Sequence, residues 1–178
     1  METNAITPAR EQDDLLIVFL DLARYSAFAR TQTDRDVADL LDQFYGMVSA
    51  ATEASGGRVI KFTGDGAFLT WPVEEADRAI PALLELRTRV HGWATARGWA
   101  TELVVKAHAG SAVCGTFGAP AFANYDVIGS AVAIAARLEA RTMALSADAF
   151  RKLSPETRKM FKKHTPPVVY IPAGDRRP

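Results

Sequence analysis

Residues 15–22 read LLIVFLDL, seven apolar side chains, several of them β-branched or aromatic, and one carboxylate, Asp21. An alternating strand can leave one face in water, but a continuous apolar run cannot, so this segment needs cover on both faces. Asp21, near its end, is costly to desolvate unless it is paired or bound to a metal. The stretch Leu22-Ala23-Arg24-Tyr25-Ser26 then turns the chain toward a helical segment. Backbone N–H groups at such a strand-to-helix turn are unpaired donors and suit phosphate oxygens. Asp21 can equally be a simple cap of that turn.

A second constraint is GRVIKFTGDGAFLTW at 57–71, two apolar runs hinged on Thr63-Gly64-Asp65-Gly66. Glycine serves the turn and lets backbone or ligand approach closely. A hairpin needs neither an aspartate between two glycines nor a lysine, Lys61, between Ile60 and Phe62. Asp65 reads as a turn aspartate or as a ligand-binding carboxylate; Lys61 reads as a strand-edge lysine or as a ligand contact. If strand 15–22 neighbours the hairpin, Asp21 and Asp65 reach the same sheet edge. Two carboxylates plus ligand phosphates suit Mg²⁺, and two such ions could activate an attacking oxygen and stabilise a leaving one.

Between these strands, Val37, Leu40, Leu41, Phe44, Met47, Val48 and Ala51 form a helical stripe, with Thr33 or Asp34 as N-cap and Gly56 as stop. A second helix runs from about Glu74 to Arg97, which Pro81 either begins or kinks. TELVVKAHAG and SAVCGTFG predict two strands joined at a glycine turn, and APAFANYD an irregular loop. SAVAIAARLEART predicts a tightly packed helix, MALS a short strand, ADAFRKL a helical turn or two, and PPVVYIP an edge strand flanked by prolines. The order predicts an α+β domain: a mixed, mainly antiparallel sheet with helices packed on one face. Residues 14–172 form that single domain, with a loose segment at 1–13 and a frayed tail at 173–178.

Composition narrows the partners. Twenty-one basic residues balance 21 acidic ones, so no net field draws the chain to nucleic acid or to an anionic membrane. A polyanion must be met by a local site. No run approaches a membrane span and the N-terminus lacks a signal-peptide core, while Cys114 is the only cysteine. These point to a cytoplasmic protein. His108, inside Ala-His-Ala, reads as a hydrogen-bonded strand histidine and Cys114 as a buried thiol. Trp71, Trp93 and Trp99 read as core or subunit-contact residues.

FLDLARYSAFA, GGRVIKFTGDGAFLTW, VKAHAGSAVCGTFG and YDVIGSAVAIAARLEA follow one another in the order and at the spacing of class III nucleotide cyclase catalytic domains. Residues 13–153 resemble that family. The resemblance implies a cyclase fold with a ferredoxin- or palm-like core, paired head to tail as a homodimer with active sites between subunits. It implies that Asp21 and Asp65 bind metal, two Mg²⁺ or Mn²⁺ ions per site. It gives Lys61 and Asp126 to the purine and Arg137 to transition-state charge, and Leu22, Ala23, Arg24, Tyr25, Ser26 and Gly64 are expected to bind the substrate beside them. The purine readers would come from the subunit opposite the aspartates. An ammonium only donates and an ionised carboxylate only accepts, so Lys61 and Asp126 complement the N1 acceptor and 6-amino donor of adenine. ATP is therefore the expected substrate, and cyclic AMP the product.

The pattern breaks at Ala133, seven residues after Asp126 and four before Arg137, where the family places a ribose-orienting asparagine. Losing a positioning contact costs on the order of 10²–10³ in rate. That leaves open a slow adenylate cyclase, an alternative ribose contact, a regulatory ATP- and metal-binding module, or one subunit of a heterodimer. Lys162 and Lys163 stand roughly where the family holds terminal phosphates, and read equally as solvated lysines.

Overall fold

The computed structural model describes residues 10–176. In chain order it contains β1 (Glu11–Leu22), α1 (Tyr25–Ala29), α2 (Asp34–Ala54), β2 (Arg58–Thr63), β3 (Gly66–Pro72), α3 (Ala76–Thr95) and β4 (Leu103–Phe117). There follow β5 (Asn124–Ile128), α4 (Ser130–Arg137), β6 (Met143–Leu145), α5 (Ala147–Lys152), α6 (Pro155–Arg158), β7 (Phe161–His164) and β8 (Val169–Pro172). One sheet runs in the order β2-β3-β1-β4-β6-β8-β7, with β5 beside the far half of β4. Among the described residues only the β4–β6 pair is parallel.

The unbroken apolar run does what its composition demands. Leu16, Val18, Leu20 and Leu22 point into the larger core with α2 and α3, while Leu15 and Ile17 point to the other side with Ala131 and Ala135 of α4. The expectation of helices on one face is thus corrected: α4 packs on the second face. On the first face α2 presents Leu40, Phe44, Val48 and Thr52, spaced four apart on one stripe. Its N-cap is Thr33, whose hydroxyl accepts from Asp36 N–H at 3.2 Å, and Gly56 at φ 81° ends it. Truncating the fully buried Phe44 to alanine would cost about 3–5 kcal/mol.

Several boundaries differ from the sequence reading. Residues 103–117 form one strand rather than two joined by a turn. A Cβ on Gly110 would lie 2.8 Å from the Ala131 side chain, so this glycine admits α4 against the sheet rather than bending it. The expected loop APAFANYD contains a 3₁₀ turn at Pro120–Phe122 and the start of β5. Pro81 lies within α3, which starts at Ala76 after a 3₁₀ turn at Val73–Glu75. β8 is internal, and the sheet edge is β7, whose apolar content is too low to announce a strand.

Of the segment expected to be loose, residues 1–9 lie outside the described residues, whereas Glu11, Gln12 and Asp13 already pair with Cys114, Val113 and Ala112. Asp175, assigned to the frayed tail, accepts from Thr142 Oγ1 at 2.5 Å and from Arg87 at 3.3 Å; residues 177–178 lie outside the described residues. Trp71 and Trp99 are core residues. Among the described residues no helix is long and apolar enough to cross a membrane.

Candidate active site

The acidic pair is assembled by strand register. β1 lies antiparallel to β3 with Asp21 opposite Gly66, which brings Asp65 at the hairpin tip beside Asp21. Leu22 N–H donates to Asp65 O at 3.1 Å and locks the turn to the strand end. Gly66 is required because a Cβ there would sit 2.8 Å from Leu20 O, and Gly64 takes φ 68°. The turn is also held from α2: Tyr45 donates to Gly64 O at 2.8 Å and stacks on Phe62 with ring centres 4.0 Å apart. Tyr45 was missed from sequence because it lies beside the apolar stripe rather than on it.

Burial raises the Asp21 carboxyl above its ordinary range, and the negative charge of Asp65, within hydrogen-bonding reach, raises it further; Lys106 opposes both. Burial likewise raises the Tyr25 phenol, with Asp65 and then Tyr45 adding to it. Two carboxylates held this close repel one another, and a cation shared between them would offset that repulsion. Among the described residues no three His, Cys, Asp or Glu side chains converge on one point. The pair therefore fits a hard divalent ion whose remaining positions go to water and substrate phosphate, as Mg²⁺ prefers.

The strand-to-helix turn is narrower as an anion cradle than its sequence implied. Leu22 N–H is spent on Asp65, and Ala23 N–H donates to Glu102 O at 3.0 Å. Arg24, in the left-handed region at φ 62°, opens α1 without a side-chain cap. Among the described residues the N–H groups of Arg24, Tyr25 and Ser26 have no backbone carbonyl partner. A cavity of about 440 Å³ joins Asp21, Ala23 and Arg24 to Lys106, Arg141 and Thr142.

On the same face, directly opposed residues make a row across four strands. Lys61 of β2 faces Phe68 of β3, which faces Phe19 of β1, which faces Lys106 of β4. Phe19 and Phe68 stack at 4.8 Å with their planes 8° apart. A register shift between Val59 and Lys61 marks a bulge that sets the aim of Lys61. Its ammonium reaches Asp126 Oδ2 at 2.5 Å, and Asp126 Oδ1 accepts from Val127 N–H at 2.9 Å.

Arg137 ends α4, exposed, with Ala133 exposed one turn earlier. It lines a different cavity, of about 740 Å³, with Lys106, Arg141, His164 and Arg176. The chain thus unites Asp21 with Asp65 and Lys61 with Asp126, and holds Arg137 apart from both pairs. Lys106, which no motif had singled out, donates to Ala136 O of α4 at 3.2 Å. Lys162 is engaged with Ala173 O at 2.9 Å on the edge strand, and Lys163 is exposed. His108 is buried, 2.8 Å from Ser146 Oγ, and Cys114 is a buried thiol.

Adenylate cyclase 2 of Rhizobium meliloti (strain 1021) is 26% identical over 157 residues, covering 81% of this chain and 43% of that protein. Adenylate cyclase 1 of the same organism is 25% identical over 139 residues, covering 72% and 21%. The chain spans less than half the length of these curated relatives. Among solved structures, a bacterial light-regulated adenylyl cyclase superposes with a TM-score of 0.82 at 19% identity, covering 96% of this chain and 55% of the other. The adenylyl cyclase CyaB from P. aeruginosa gives 0.77 at 18%, covering 94% and 97%. The guanylyl cyclase Cya2 gives 0.75 at 19%, covering 92% and 91%. At these identities the likeness establishes the fold, and it spans proteins named for either purine. The sequence pattern described as the adenylate and guanylate cyclase catalytic domain matches residues 7–165, and the chain belongs to that family.

Proposed function

We propose that the protein is an adenylate cyclase that converts ATP to 3′,5′-cyclic AMP and pyrophosphate at sites shared between two copies of the chain. The observation that carries the choice of ATP is the 2.5 Å contact between Lys61 and Asp126. An adenine entering between them exchanges one ion pair for two directed contacts, N1 accepting from Lys61 and the 6-amino group donating to Asp126. Guanine would set its 6-oxo acceptor against the carboxylate and its N1–H against the ammonium.

Asp21 and Asp65 would hold divalent cations, Mg²⁺ or Mn²⁺, two per site. When bound, such ions lower the pKa of the ribose 3′-hydroxyl and neutralise phosphate charge. The 3′-oxygen attacks the α-phosphorus, the bond to the bridging oxygen breaks, and pyrophosphate leaves. The N–H groups of Arg24, Tyr25 and Ser26 orient the departing phosphates. Lys61 and Asp126 of the partner subunit hold the base, and the partner subunit's Arg137 offsets charge growing on the phosphates. Asp21 and Asp65 serve one site while Lys61, Asp126 and Arg137 serve the other, in keeping with the separation of Arg137 from the carboxylates within one chain.

A second reading, an ATP- and metal-binding module or heterodimer subunit with little turnover, is favoured by the exposed methyl of Ala133 where the family carries a ribose-orienting asparagine. The test measures cyclic AMP from ATP, and cyclic GMP from GTP, with Mg²⁺ or Mn²⁺ at several protein concentrations. Specific activity rising with protein concentration, abolished in Asp65→Ala and increased at least tenfold in Ala133→Asn, supports a dimeric cyclase limited by its ribose contact. ATP binding without product selects the second reading.

A further inference from the structure

The basic cavity beside α4 sits oddly in a chain whose formal net charge is zero. Its wall carries Lys106, Arg137, Arg141 and Arg176 against one carboxylate, Glu139. Elsewhere Arg78, Arg87, Arg151 and Lys159 each sit within 4.0 Å of a carboxylate. Among the described residues Lys106, Arg137 and Arg141 have no such partner. Like charges that outnumber their counter-charges in a concave surface are mutually destabilising, and a bound polyanion relieves them.

The cavity also has a direction. Lys106, Ala140 and Arg141 line both it and the smaller cavity that borders Asp21, Ala23 and Arg24. The two cavities share that wall: Asp21 and the strand-to-helix turn border the smaller one, and Arg137, His164 and Arg176 border the larger. Lys106 stands on β4, between β1 and β6 in the sheet. One of its ammonium hydrogens is used by Ala136 O, leaving two for a ligand. Arg141 is exposed and offers a planar fork that matches phosphate oxygens in pairs.

We infer that Lys106 and Arg141 grip the β- and γ-phosphates of the nucleotide, and the pyrophosphate it becomes, from the same subunit that supplies Asp21 and Asp65. This rests on the nucleotide-phosphate reading of the Asp21 turn and adds a wall to it: one subunit holds the reacting end of the triphosphate complete. Arg137, which lines the larger cavity and not the one bordering Asp21, remains free to face the partner's site. The competing role for Lys106 is purely structural, an ammonium at the carbonyl end of α4.

Isothermal titration of the full chain with inorganic pyrophosphate, with and without Mg²⁺, decides between them. Wild type should bind in both conditions. Lys106→Met and Arg141→Gln should each weaken binding about tenfold or more, and Lys106→Arg should restore most of it. Lys159→Ala, which removes one positive charge from an exposed pair elsewhere, should bind as wild type. ATP should compete with pyrophosphate and AMP should not, since the site takes the terminal phosphates. Thermal melts of each variant identify any loss that is only misfolding. Unchanged binding in folded Lys106→Met and Arg141→Gln, equal loss in Lys159→Ala, or competition by AMP equal to that by ATP overturns the inference. If pyrophosphate binding follows this pattern but no cyclic AMP forms, the cyclase reading fails and the phosphate wall stands. If cyclic AMP forms while the two variants bind pyrophosphate normally, only the wall fails.

Discussion

Lys61 Nζ and Asp126 Oδ2 lie 2.5 Å apart although 65 residues separate them in the chain. One sits on an outer hairpin and the other on β5, which among the described residues pairs with the far half of β4. Their side chains remain 46% and 27% exposed, and a pair so accessible contributes at most about 1 kcal/mol to stability. A contact built from two distant elements for so little stability is better explained by a ligand that enters it.

Reversing the pair's hydrogen-bonding sense should reverse the choice of purine. Lys61→Glu with Asp126→Ser is expected to lower kcat/KM for ATP by roughly a hundredfold or more and to raise the GTP-to-ATP preference. Melting temperature should change little. Initial rates with each nucleotide, beside a thermal melt, check both halves; an unchanged preference would remove Lys61 and Asp126 from base recognition.

Asp65 is expected to be needed for activity and dispensable for folding. Its charge, after burial, keeps the Asp21 carboxyl raised. A raised folded-state pKa means the folded chain holds that proton more tightly than the unfolded chain. Ionised Asp21 therefore subtracts stability as pH climbs from its ordinary value of 3.8 through the raised one. Asp65→Asn removes part of that penalty, so at neutral pH the variant should melt no lower than wild type. Metal-dependent turnover should fall by about 10² or more. A large drop in melting temperature would mean that Asp65 is structural.

Acid stability should be governed in part by His108. Burial lowers its pKa below the ordinary 6.5, with Asp148 opposing more weakly. The unfolded chain then takes up a proton that the folded chain refuses. Stability from this source is complete above about pH 6.5 and falls as pH drops toward the lowered value. Denaturant midpoints between pH 5 and 8 should show the slope, and His108→Gln should flatten it. Equal slopes in both proteins would assign the acid sensitivity elsewhere.

The Tyr45 hydroxyl is expected to position the acidic turn rather than to touch substrate. Tyr45→Phe keeps the ring against Phe62 and deletes only the bond to Gly64 O. That should cost about 1 kcal/mol. The Mg²⁺ concentration needed for half-maximal activity should rise several-fold, with little change in the apparent KM for ATP at saturating metal. A metal requirement identical to wild type would make Tyr45 a packing residue.

Local chemistry that repeats within a few residues was readable in the chain itself. The run LLIVFLDL could only be a strand covered on both sides, the four-residue spacing of Leu40, Phe44 and Val48 only a helix, and Thr-Gly-Asp-Gly only a turn with a carboxylate at its tip. Asp21 at the end of its apolar run, Asp65 at the tip of its turn and Lys61 in its strand were legible for the same reason, whereas Asp126 was singled out only by its resemblance to the cyclase family. Gly110 misled because a glycine in a strand has two uses, turning the chain or admitting a neighbour, and only the packed α4 tells them apart.

Tertiary structure decided what depends on residues far apart in sequence. Strand register put Lys61, Phe68, Phe19 and Lys106 in one row, a placement that slips to the opposite face if the register shifts by a single residue. The β4–α4 contact turned Lys106 from an isolated lysine into the meeting point of two cavities. Hydrogen bonds to the backbone carbonyls of Asp65 and Glu102 occupied the N–H groups of Leu22 and Ala23, which the sequence had left open to a ligand. Periodicity records which side of its own element a residue occupies; which other elements stand opposite is set by long-range packing, and that is where the site's charges acquire their neighbours.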